Sequence, residues 1–202
     1  MTATSIRRAM RRWRADERGS VAVETLLMLP LMTWALLSTL VYFDAFRTEA
    51  ITQKASLTIA DMFSRETDLI DQNYINGANE LLKFLTLHDA TPELRVTAFY
   101  WDENRAAYRV VWSKRAGTTN PGYTNSTLAS VADRLPTMAN NERAILVETW
   151  IDYEAPYDPG LGTALSDFQM ETFTVISPRF TSQLCWVNGD AADADANTQR
   201  YC

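Results

Sequence analysis

Apolar positions follow three different rhythms along this chain. Between Glu24 and Asp44 lie 19 residues without a charge, TLLMLPLMTWALLSTLVYF. At about 1.5 Å of rise per residue, that run makes a helix of roughly 28 Å, close to the hydrocarbon thickness of a bilayer. Residues 45–66 contain no Gly or Pro, and Ile51, Ala55, Ile59, Met62 and Phe63 recur at helical spacing. Arg47, Lys54, Asp61 and Arg65 fall mostly outside that stripe. The pattern predicts one helix from Ser20 to about Glu66, roughly 70 Å long, whose outer half offers an apolar face to a soluble domain. Pro30 sits inside the run. It would cost a soluble helix about 3 kcal/mol, whereas membrane helices tolerate such prolines and bend at them.

Beyond residue 66 the rhythm shortens. Leu81, Leu82, Phe84 and Leu85 predict a second helix over Ile75–Leu87, closed by Thr91-Pro92. Leu94–Trp101 and Ala106–Lys114 read as a hairpin turning through residues 102–105. Ser113–Asn125, with Gly117, Pro121 and Gly122, reads as a loop, and Ser126–Leu135 as a short helix stopped by Pro136. Ala144–Tyr153 and Gln169–Ser177 are two further strands. The loop between them holds Pro156, Pro159, Gly160 and Gly162. The expected fold class is α+β: a long N-terminal transmembrane helix with a small antiparallel sheet packed on helices. No internal repeat or sustained heptad is visible.

Charge divides the chain in two. Residues 1–19 carry six arginines (Arg7, Arg8, Arg11, Arg12, Arg14 and Arg18) against Asp16 and Glu17, a net of +4, and the remainder carries −10. A basic flank before an apolar run places the N-terminus in the cytoplasm and the acidic body across the membrane. The overall charge of −6 argues against a nucleic-acid partner. One histidine and two cysteines leave no material for a His-based metal centre, a Ser-His-Asp triad or a four-cysteine zinc site. The apolar run is long for a secretory signal peptide, and no convincing A-x-A site follows it.

The junction reads Arg18-Gly19-Ser20-Val21-Ala22-Val23-Glu24. An Arg-rich leader ends in glycine, a small residue follows, and an acid stands fifth after the glycine in an otherwise uncharged helix. This resembles the processing signature of type IV prepilins, which a membrane aspartyl prepilin peptidase would cut between Gly19 and Ser20. With Leu29-Pro30-Leu31 downstream, the string is similar to the TadE/TadG-like minor pilins (pseudopilins) of tight-adherence, Flp-type pili. Thr25 stands where an aromatic residue commonly follows the acid in that family. The resemblance covers about residues 14–45. It implies a basic leader (1–19), a transmembrane helix (20–46), a helical extension (47–66) and an extracytoplasmic α+β domain (67–202). It further implies a bacterial inner-membrane location with the domain periplasmic or extracellular, incorporation in the pilus, and a role in pilus assembly and surface attachment. The partners would be the prepilin peptidase, other pilin or pseudopilin subunits and the assembly machinery, with no cofactor, no metal and no catalysis.

The chemistry of the junction agrees with that pattern. Glycine enters a narrow protease cleft in extended form, and the arginines hold the cut at the cytoplasmic face. A lone acid in a membrane helix costs about 2.5–3.5 kcal/mol unless paired. Cleavage would create an α-amine on Ser20, one turn from Glu24, which makes Glu24 the candidate for charge pairing within or between subunits. The competing view is an uncleaved single-pass protein with an extracytoplasmic ligand-binding or sensing domain, in which Glu24 merely marks the membrane interface.

Cys185 and Cys202 lie on the oxidising side under this topology and are expected to form a disulfide, as many pilins likewise close a C-terminal region. Asp193, Asp195 and Asn197, near Asp190, copy the start of a calcium loop, but Thr198 replaces the required glycine and the closing acid is missing. A solvated acidic loop is the expectation there, and equally for Asp152, Glu154 and Asp158. His88, beside Asp89, has no nucleophile motif near it and reads as a helix-end cation. Trp101, Trp112 and Trp150 read as sheet packing, with carbohydrate or surface binding as the alternative.

Overall fold

The structure, a computed structural model, describes residues 19–86, 91–155, 167–189, 191 and 199–202. Helix α1 runs unbroken from Ser20 to Arg65, 46 residues that include Pro30. This is about 69 Å at standard rise. Its most apolar window has a mean hydropathy of 1.8 and is only 11% buried, and the helix is long and apolar enough to cross a membrane. The hydroxyls in that stretch are spent within the helix: Thr25, Thr33 and Thr39 donate to the carbonyls of Val21, Leu29 and Ala35 at 2.8 Å. Ser38 donates to Trp34 at 2.9 Å. Such back-bonding is what an apolar surrounding demands of a hydroxyl.

The outer half of α1 packs on a domain. Ala45, Thr48, Thr52, Ala55, Ser56, Ile59 and Phe63 are buried, most of them small enough for the helix to lie close to a sheet. Ser56 shares a hydrogen bond with Thr149 at 2.8 Å, and Thr149 shares another with Thr172 at 2.6 Å. Nearer the apolar run, the buried Tyr153 donates its phenol to Asp44 at 2.9 Å. The helix ends where Glu66 turns extended and its carboxylate accepts the amides of Thr67 and Asp68. Asp71 then accepts the Tyr74 amide at 2.8 Å, capping helix α2, Gln72–Thr86.

The sheet contains β1 (Glu93–Asp102), β2 (Ala107–Ala116), β3 (Arg143–Glu154) and β4 (Asp167–Ile176). Its order is β2-β1-β3-β4, with every neighbour antiparallel. Val111 is the extra residue of a bulge between the pairs Ala98–Trp112 and Phe99–Val110. One face, with Leu94, Val96, Trp112, Ile145, Val147 and Ile151, closes a core with α1 and α2. The other, with Phe99, Ala144 and Leu146, is covered by α3 (Asn125–Leu128), Leu135 and Met138. The mixed architecture, one long apolar helix plus a small antiparallel sheet, is the expected α+β class.

Beyond shifts of one to three residues at element ends, such as α2 beginning at Gln72 rather than Ile75, three features differ from the sequence reading. β2 continues to Ala116, so the loop expected from Ser113 begins at Gly117. The helix expected over Ser126–Leu135 is one α turn, Asn125–Leu128, followed by a 3₁₀ segment, Ala129–Arg134. The Ser130 hydroxyl bonds the Thr127 carbonyl at 2.7 Å there, competing with the longer helix. A two-stranded sheet, β5 (Trp186–Val187) with β6 (Arg200–Tyr201), was not anticipated.

Candidate functional site: the start of the long helix

Gly19 is the N-cap of α1, with φ −98° and ψ −5° and no side-chain capping bond. A Cβ added there would meet nothing within 4 Å among the described residues. The described part of the fold therefore makes no demand for glycine at this position. Ser20 opens the first turn, and Glu24 follows one turn later, exposed to solvent. Positions 20 and 24 thus share one side of the helix, at its positive dipole end. The six leader arginines lie outside the described residues.

The second predicted pair is bonded: Cys185 and Cys202 form a disulfide with their Cα atoms 4.5 Å apart. It closes β5 against β6 beside the Ile70 strip. Ile70 donates to the Cys185 carbonyl and accepts from the Val187 amide, both at 3.0 Å. Trp186 packs 5.8 Å from Trp112, whose indole donates to the Leu184 carbonyl at 2.9 Å. Leu184, Trp186 and Tyr201 are therefore docked on the core, beside the α1–α2 junction. Asp71 accepts the Ala191 amide there at 3.0 Å. Burial raises the Asp71 carboxyl, but the amides of Ala191, Tyr74 and Asn73 outweigh it and leave it below its ordinary value.

A polar cluster that sequence reasoning missed lies on the far face of the sheet. Arg95 and Glu148 are cross-strand partners on β1 and β3. Their side chains are 9% and 2% exposed. The guanidinium donates twice to the carboxylate at 2.8 Å and once to the Pro121 carbonyl at 2.8 Å. The Tyr123 ring lies 3.8 Å and the Trp150 ring 4.8 Å from the guanidinium carbon. Tyr123 donates to Glu148 at 3.1 Å. Burial and the Glu148 charge push its phenol up to about 12. Nearby, Glu93 accepts the amides of Thr118, Thr119 and Asn120. Burial raises this carboxyl, yet those donors outweigh it and hold it at about 2. Gly117 has φ +113°, and a Cβ there would run into the Glu93 side chain. Arg95 and Glu148, opposite charges set among the apolar residues of two strands, were the available signal for this cluster.

These groups bond one another and hold the 117–124 loop against β1. Among the described residues, no group of three or more His, Cys, Asp or Glu is placed to hold a metal ion. Asp152 and Glu154 are exposed on the end of β3 rather than in a loop, and Asp152 accepts from Gln169 at 2.8 Å. Asp158, His88, Asp89, Asp190, Asp193, Asp195 and Asn197 lie outside the described residues. Trp112 and Trp150 are buried, and Trp101 packs edge-on against Tyr108 at 4.8 Å. Comparison of the chain with family models, curated proteins and solved structures finds no match to any of the three.

Proposed function

We propose that this chain is a minor pilin or pseudopilin of a tight-adherence pilus system. In this reading it is made as a precursor in the bacterial inner membrane, with the N-terminus cytoplasmic and the domain periplasmic or extracellular. A prepilin peptidase removes residues 1–19, and the mature chain joins the pilus or its base. The supporting observation is the junction itself. A glycine that the described part of the fold does not require caps an unbroken apolar helix. One exposed acid follows a turn inside it. The mechanism is assembly: cleavage frees the Ser20 amine, Glu24 supplies the pairing charge, α1 supplies the packing surface, and the domain selects the partner. The docked disulfide end keeps that domain folded outside the cell.

The test is N-terminal sequencing and intact mass of the protein from native membranes, with and without the prepilin peptidase. A start at Ser20 that requires the peptidase is the expected result. A retained leader overturns the proposal and leaves an uncleaved single-pass protein with a ligand-binding or sensing domain.

A further inference from the structure

The domain grips only one side of α1. Its buried positions Ala45, Thr48, Thr52, Ala55 and Ile59 advance by alternating steps of three and four. Two residues behind each, Phe43, Phe46, Ala50, Gln53 and Leu57 repeat the same steps, and all five are exposed. A two-residue offset is about 200° around a helix, so the second seam lies opposite the domain. Phe43 is 69%, Phe46 65% and Leu57 56% exposed, and the seam continues into the apolar run at Leu36. Alternating steps of three and four are the spacing of a coiled-coil interface.

We infer that this bare seam is a self-association surface, and that two copies of the chain pair through it in parallel and in register. The charges flanking the seam select the second copy as occupant. Glu49 and Lys54 stand on its opposite margins, both exposed. In a parallel pair, a margin residue faces the residue five positions further on in its neighbour. Glu49 of each copy then meets Lys54 of the other, twice by the two-fold axis. In the single chain Glu49 accepts only a 3.3 Å bond from Gln53 among the contacts described. Copies inserted the same way through one membrane are necessarily parallel, so the inference rests on the membrane topology proposed above but not on processing at Gly19. Ala50 and Gln53 lie between the aromatic and aliphatic ends, where a small and a polar residue let the helices close up and favour one register.

The test uses the full-length chain in native membranes, whose two native cysteines are both in the disulfide. Ala50→Cys, Gln53→Cys and, off the seam, Thr58→Cys are oxidised with copper-phenanthroline, and intact mass verifies the native disulfide. All three positions are exposed, so the fold is not at stake. The expected result is dimer forming at positions 50 and 53 at least tenfold faster than at 58. In the Ala50→Cys background, Glu49→Lys should slow cross-linking several-fold. Mixing it with Lys54→Glu chains should restore the rate in mixed dimers. Equal rates at all three positions, or no dimer at 50 or 53, would overturn the in-register pair. So would a charge swap without effect.

Discussion

Replacing Glu148 with alanine would leave the Arg95 guanidinium between β1 and β3 without its counter-ion. The structure sets the scale of that loss. Arg95 is 9% exposed at its side chain, and two of its three donor groups bond Glu148 at 2.8 Å. Only the Pro121 carbonyl and the faces of Tyr123 and Trp150 would remain to it. Removing one member of a buried pair costs about 3–5 kcal/mol, because the surviving charge stays desolvated. For a chain of this length each kcal/mol lowers Tm by about 2–4 °C, so Glu148→Ala should lose about 6–20 °C. Arg95→Met with Glu148→Leu should cost less than Glu148→Ala alone, since no buried charge is then orphaned and only the Tyr123 hydroxyl and the Pro121 carbonyl lose a partner. Thermal unfolding of the full chain in detergent at pH 7, followed by tryptophan fluorescence, measures both. A loss below about 1 kcal/mol for Glu148→Ala, or a double variant at least as unstable as the summed singles, would refute the reasoning.

Three further outcomes are expected. Glu93 sits at about 2 in the folded chain against an ordinary 4.5, so the unfolded state binds the extra proton between those values. Its stabilising effect is full above about pH 4.5 and fades as pH falls toward 2; Tm scans of the wild type and Glu93→Gln should therefore converge across that window and separate above it. Cys185→Ser with Cys202→Ser frees a loop spanning 17 positions. This should cost about 3 kcal/mol, visible as a lower Tm that reductant no longer changes. Glu24→Ala should still be cut after Gly19 but enter filaments poorly, read by immunoblot of sheared pili; normal incorporation would remove its pairing role.

The two long helices and four long strands were legible in the sequence because each carries its own period. Residues 45–66 hold a helical stripe without a breaker, and the strand segments concentrate β-branched and aromatic residues. What stayed hidden depends on distant partners. β5 and β6 are two residues each and exist through the disulfide and the hydrogen bonds to Ile70. The Arg95–Glu148 pair appears only once the register of β1 against β3 is known. The Ser126–Leu135 segment failed locally, where serine and threonine hydroxyls compete for helix carbonyls. At the junction, the sequence singled out Gly19 and Glu24. The structure adds that the helix continues from Ser20 without a break into the domain's own core.

That continuity makes the chain a lever. No linker separates the apolar run from the domain, and Tyr153 clamps the rod at Asp44, next to the run's last residue. From Asp44 to Arg65 the shaft extends about 33 Å. Tilting such a shaft by 10° sweeps its far end sideways by about 6 Å, within the range of tilts that bilayer thickness imposes on helices. For a chain held in a bilayer, lipid thickness would then aim the domain, and a tilt imposed on the apolar run would be carried straight to it.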